Sequence, residues 1–178
     1  MKMRTKASGV ALAIVLALVP WAARADGVTV PMRLITDQGE GAPIGFIRAE
    51  DTPGGPQLTP ELAGLPPGPH GFHVHEKPSC QPAESDGRTM PGLAAGGHYD
   101  PQQTGRHLGP FGEGHKGDLP VLVVEADGTA RTPVTAPRLK VADLKGRSLM
   151  IHAGGDTYSD EPPMGGGGGR IACGIVPE

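Results

Sequence analysis

The chain has 178 residues, 37% of them hydrophobic and only 3% aromatic, with 29 glycines, 20 prolines and a formal charge of −3. That length suits one domain with a core of its own. The acid-leaning balance and the lack of aromatic platforms argue against a nucleic-acid binder, which needs a basic face.

The first 25 residues read as a leader rather than as part of the fold. Lys2, Arg4 and Lys6 make a basic start, Val10 to Val19 is an apolar run of ten, and Ala23-Arg24-Ala25 is a small-x-small cleavage site. That order is a secretory signal peptide. The apolar run is too short to span a bilayer. Cleavage after Ala25 would leave one domain, residues 26–178. It would also remove Lys2, Arg4, Lys6 and Arg24, leaving twelve basic residues against nineteen acidic ones, a formal charge of −7. An anionic ligand would then need a local positive spot on a negative protein. Two cysteines, Cys80 and Cys173, remain in an exported chain, and they read as one disulfide.

The mature chain reads as β structure. Glycine and proline interrupt every candidate helical stretch. Gly27 to Ile35 is a β-prone run. Pro43 to Glu50 is a second, with Ile44, Phe46 and Arg48 expected on one face. Gly71 to Glu76 alternates, as does Leu119 to Ala126. Asp127-Gly128 is a turn, expected to return Thr129 to Leu139 beside the preceding strand as a hairpin. A small helical turn is expected near Asp143-Leu144. Ser148 to His152 and Arg170 to Val176 are short strands near the end. Many short strands without crossover helices predict an antiparallel sandwich or barrel. Two stretches resist this pattern. One is Cys80 to Asp118; the other is Ala153 to Gly169, which ends in five glycines. Loops this long in a compact domain are unusual unless functional or disordered. The glycine run is read as backbone packed close beside a pocket.

All seven histidines fall between His70 and His152. His73 and His75 are two apart on an expected strand, so both imidazoles leave one face while Phe72 and Val74 enter the core. His152, on its own short strand, could reach the same site, and His98 could complete it. His98, His107, His115 and Asp118 form a second set inside the first long loop. Three imidazoles and a carboxylate satisfy a tetrahedral Zn²⁺. Nitrogen-rich ligation suits Cu, Zn or Ni. Asp156, four residues after His152, could accept a ring proton from a ligand. His70 reads as a hydrogen-bonding or surface histidine, not a ligand. No nucleophile elbow, Walker motif or H-E-x-x-H competes with the metal reading.

These motifs resemble the copper/zinc superoxide dismutases, and specifically their exported bacterial branch. G-F-H-V-H (Gly71 to His75), G-G-H-Y-D-P (Gly96 to Pro101), H-K-G-D-L-P (His115 to Pro120), M-I-H-A-G-G-D (Met150 to Asp156) and G-G-G-R-I-A-C-G (Gly167 to Gly174) match in order. The resemblance implies an eight-stranded Greek-key β-barrel with two long functional loops. It implies one copper held by His73, His75, His98 and His152, and one zinc held by His98, His107, His115 and Asp118, with His98 shared. It implies that Asp156 links His75 or His73 to His107, that Cys80 and Cys173 form the family disulfide, and that Arg170 stands above the copper. The activity implied is dismutation of superoxide in the periplasm by Cu²⁺/Cu⁺ cycling, with Arg170 and His98 as catalytic residues. No nucleic acid and no membrane anchor are expected after cleavage. Monomer and homodimer are both compatible with the family. One departure stands out: Ala153 to Gly169 contains Asp156, Asp160 and Glu161 but no lysine to guide an anion, which leaves Lys77 or Lys116 for that role. The rival reading is an exported copper or zinc carrier without turnover, which would explain the histidines but not Arg170.

Overall fold

The computed structural model describes residues 27–178; the expected signal peptide lies outside the described residues. Alternation of apolar and polar residues builds an antiparallel meander from β1 (Gly27–Thr36), β2 (Gly39–Glu50) and β3 (Gln57–Ala63). The next strand is broken at Gly71 into β4 (Gly68–His70) and β5 (Phe72–His75). The first long loop contains a small hairpin, β6 (Ala83–Ser85) with β7 (Arg88–Met90). It also contains a 3-10 turn at Leu93–Ala95. Then come β8 (Leu122–Val124) and a second broken strand, β9 (Thr129–Ala130) plus β10 (Val134–Thr135). The short helix α1 (Val141–Leu144) precedes β11 (Ser148–His152) and β12 (Arg170–Ile175).

The ladders run β10–β3–β2–β1–β12–β11–β5, with β9 also on β3 and β4 on β8. The β8–β9 turn, closed by Glu125 N–H to the Thr129 carbonyl at 2.8 Å, completes the ring. With β4/β5 and β9/β10 each counted as one broken strand, the barrel has eight. The chain leaves β3 for β4 across two intervening strands, which is a Greek-key connection. Closure removes the exposed edges that would otherwise invite association.

The main apolar cluster includes Val30, Ile47, Leu58, Phe72, Val74, Leu122, Leu149 and Ile151, all fully buried, and a smaller one gathers Ile35, Cys80, Ala95, Met150 and Cys173. Two expectations need correction. Ile44 does not share a face with Phe46 and Arg48. A bulge lies where Met32 faces Gly45 and Arg33 faces Pro43. It turns Ile44 inward with Ile47 and Ala49, while Arg48 stacks over Phe46 on the outside. The bulge needs Gly45, whose φ is +124° and where a Cβ would overlap the Glu61 carbonyl. The run after Asp127-Gly128 returns beside β8 only briefly; its residues pair with β3 instead. β3 itself gave no sequence signal, because Pro60 sits in its middle.

Cys80 and Cys173 are disulfide-bonded, joining the first long loop to β12 across 93 positions. Closing a loop of that size constrains the unfolded chain strongly. The double variant Cys80→Ala/Cys173→Ala is therefore expected to lose about 2–5 kcal/mol of unfolding free energy in urea titration. No loss would show that the bridge contributes nothing to the fold.

Candidate metal centre

The site is built on β5. Its Phe72 and Val74 side chains join the core, and His73 and His75 leave the opposite face, all four fully buried. One edge of β5 pairs with β11. The other edge takes two pieces of the first long loop. Val74 N–H donates to the Gly117 carbonyl, Tyr99 N–H to the Val74 carbonyl and Gly117 N–H to the Tyr99 carbonyl, each at 2.8 Å. An added Cβ at Gly117 would overlap the Val74 carbonyl, so glycine permits this close approach. The docking sets His98 opposite His75 and Asp118 opposite His73. At the break between β4 and β5, His152 N–H donates to the Gly71 carbonyl at 2.8 Å, bringing the end of β11 to the same place.

Two donor sets result. Single donor atoms of His73, His75, His98 and His152 lie within 4.8 Å of one another. The same limit groups His73, His98, His107 and Asp118. His115 falls outside that second group, yet its Nδ1 is 3.5 Å from Asp118 Oδ1. His98 Nδ1 and His107 Nδ1 are 3.0 and 3.1 Å from the same oxygen. A tetrahedral zinc with arms of about 2.0–2.1 Å separates its donors by about 3.3 Å. The distances from Asp118 Oδ1 to His98, His107 and His115 bracket that spacing, while His73 Nε2 and His107 Nε2 are both bonded to Asp156 at 2.7 Å, so each of those rings has Nδ1 to offer an ion. His73 and His98 are common to both groups.

The hydrogen-bond partners fix the ring tautomers. His73 Nε2 and His107 Nε2 face the two oxygens of Asp156 at 2.7 Å each. His75 Nδ1 faces the Gly96 carbonyl at 3.0 Å and His152 Nδ1 the Gly168 carbonyl at 3.2 Å. Carbonyls and carboxylates only accept, so each of these nitrogens donates, and a neutral ring then carries a lone pair on the other. Those other nitrogens (Nδ1 of His73 and His107, Nε2 of His75 and His152) have no hydrogen-bond partner, nor has Nδ1 of His115. Buried lone pairs converging without a donor fit metal ions.

Burial suppresses the charged form of most of these rings. Desolvation, with repulsion among the rings, holds His73 and His152 down to about 4 and His98 down to about 3, and puts His75 well below its usual range. Neutral rings are the ligating form. His107 is the exception. Burial lowers it too, but Asp118 and Asp156 outweigh that and raise it to about 9. A proton would hold the place of the ion there in a metal-free chain. Asp118 and Asp156 are both held well below the usual carboxylate range: burial raises them, and hydrogen bonds from the histidines overcome it.

Other expected residues sort clearly. Asp156 links His73, not His75, to His107. The glycine run packs against the site, with Gly165 against Asp156 and His107 and Gly167 against His152. Arg170, half-buried at the start of β12, donates from its two terminal nitrogens to the carbonyls of Gly92 at 2.5 Å and Gly96 at 2.8 Å. Gly96 thus joins the guanidinium to His75. His70 is buried, its ring on the carbonyls of His152 and Pro66, and is absent from both donor sets. Lys116 is paired with Asp143 at 3.0 Å, whereas Lys77 is exposed. Sequence reasoning missed Asp160, which accepts the His107 N–H at 2.6 Å from 53 positions away. Its place in an acidic loop carried no signal of that partner.

Comparison with known proteins identifies the family. The family model for copper/zinc superoxide dismutase (SODC) matches residues 44–176. Superoxide dismutase [Cu-Zn] 2 of Salmonella typhimurium is 56% identical over 167 residues, covering 93% of this chain and 96% of that protein. The solved copper/zinc enzyme of Brucella abortus superposes with a TM-score of 0.83 at 53% identity, covering 84% of this chain and 99% of that one. The solution structure of the monomeric enzyme of Salmonella enterica gives 0.77 at 56% identity, covering 85% and 99%. The chain belongs to the copper/zinc superoxide dismutase family.

Proposed function

We propose that this chain dismutates superoxide, using copper in the His73, His75, His98, His152 set and zinc in the His98, His107, His115, Asp118 set. Two superoxide ions and two protons give dioxygen and hydrogen peroxide. The observation that carries the reading is the convergence of partnerless buried imidazole nitrogens on two overlapping groups that have His73 and His98 in common. When bound, copper supplies a one-electron couple that can accept from one superoxide and give to the next, and zinc supplies a fixed charge without redox.

The chain's own residues do the rest. His98 turns Nδ1 to Asp118, which leaves Nε2 for the copper side. Nε2 is the atom we assign to hold a proton and return it to reduced oxygen. Asp156 keeps His73 and His107 in one tautomer, so neither ring can turn without breaking a 2.7 Å hydrogen bond. Arg170 is a permanent cation beside the copper-side set, braced by two carbonyls, and it binds and orients a small anion. An exported carrier without turnover would have no use for such a braced cation. Lys77 is the lysine we assign to guiding the anion, since Lys116 is engaged by Asp143.

The leader at residues 1–25 supports export, and the bacterial relatives support the periplasm as destination. Both donor sets come from one chain, so a homodimer is compatible with this chemistry without being required by it.

Elemental analysis with a superoxide-decay assay tests the reading. Turnover is expected to vanish on copper removal and return on readdition; turnover that ignores copper would overturn the assignment. Asp118→Ala is expected to lose most bound zinc, and normal zinc retention would remove Asp118 from the ligand set. Arg170→Ala is expected to lower kcat/KM about 10- to 100-fold at unchanged copper content. Lys77→Glu is expected to slow turnover several-fold at low ionic strength and hardly at all in high salt. An effect equal at both salts would end the guiding role.

A further inference from the structure

Arg138 lies between β10 and α1, outside both long loops and far in sequence from every donor. Its guanidinium is half-buried and reaches the first loop. One terminal nitrogen donates to the His115 carbonyl at 3.1 Å and the other to the Gly114 carbonyl at 2.9 Å. His115 has less to hold it than its companions. The His107 ring is bonded to Asp156 and its N–H to Asp160. Asp118 accepts from Gly109 N–H at 3.2 Å. His98 sits on the docked edge of β5, its ring stacked on His73 at 3.9 Å. The His115 ring has only Asp118 at 3.5 Å, so its position is set by its backbone. That backbone has three anchors: its N–H to the Arg106 carbonyl at 2.8 Å and its carbonyl accepting from Asp118 N–H at a long 3.4 Å, both within the same loop, and Arg138, the one anchor from outside it.

We infer that Arg138 is a positioning residue for zinc: it holds the His115 backbone so that Nδ1 meets the other three donors. This rests on the zinc set proposed above. The sign of the charge sharpens the inference. A guanidinium beside a site for a divalent cation repels that cation. Arg138 can therefore favour zinc only through geometry, and its charge alone predicts the opposite result.

The test uses the full mature chain, loaded with Zn²⁺ or, at the same site, with Co²⁺. Arg138→Met is expected to speed zinc transfer to a chelator about tenfold or more. It is also expected to weaken the visible Co²⁺ bands that report tetrahedral coordination, while copper binding stays the same. Arg138→Lys keeps the charge and one donor, so it should fall between wild type and Arg138→Met, and it carries the test alone if Arg138→Met does not fold. Zinc transfer as slow as wild type, or slower, overturns the inference. So does an equal weakening of zinc and copper, which marks a general loss of structure. His115→Ala separates the two layers. If it keeps zinc, the zinc set is wrong and the Arg138 role falls with it. If it loses zinc while Arg138→Met holds zinc like wild type, only the Arg138 role fails.

Discussion

A buried nitrogen lone pair with nothing positive to meet it destabilises a folded chain, by about 1–3 kcal/mol for each unsatisfied group. This barrel buries together five ring nitrogens that lack a hydrogen-bond partner, and a proton can fill the place only at His107. The arrangement makes sense only with cations at its centre, and the rest of the structure holds it in place. The barrel supplies a stiff strand, β5, with core on one face and imidazoles on the other. The first loop supplies His98 and Asp118 by docking on the free edge of that strand. The second loop supplies Asp156, which fixes two rings at once.

The acidic second loop looked hostile to an anionic substrate when read as sequence. Two of its three acidic side chains turn out to be spoken for, and the third, Glu161, is exposed. Both oxygens of Asp156 are bonded to ring nitrogens, and its side chain is fully buried. Asp160 takes the His107 N–H and lies 3.7 Å from Arg106. These carboxylates tie the two loops together, leaving Arg170 as the charge beside the copper-side donors.

What could be read beforehand follows from how local the cause is. The His73/His75 platform depends on alternation along four residues, and β11 on the apolar run Leu149-Met150-Ile151; both are visible in the chain. The gathering of His73, His75, His98 and His152 was legible because histidines in these motifs have few other uses. The Ile44 face was misread because one glycine bulge reverses the alternation, and a bulge depends on what the neighbouring strand allows. β3 was hidden by Pro60. The choice of His73 over His75 as the partner of Asp156 turned on the path of a glycine-rich loop, since both rings share a face. The hold of Arg138 on His115 joins positions 23 apart through no pattern at all.

The disulfide reaches further than its effect on chain entropy. Cys173 lies three residues along β12 from Arg170, and Cys80 begins the loop whose Gly92 and Gly96 carbonyls hold that guanidinium. One covalent tether thus fixes both the root of the arginine and the cradle of its tip. Reduction would slacken the aim of the arginine even while the barrel stayed closed, so under the role proposed for Arg170 the state of one sulfur bridge governs how sharply an anion is held as well as how long the fold lasts.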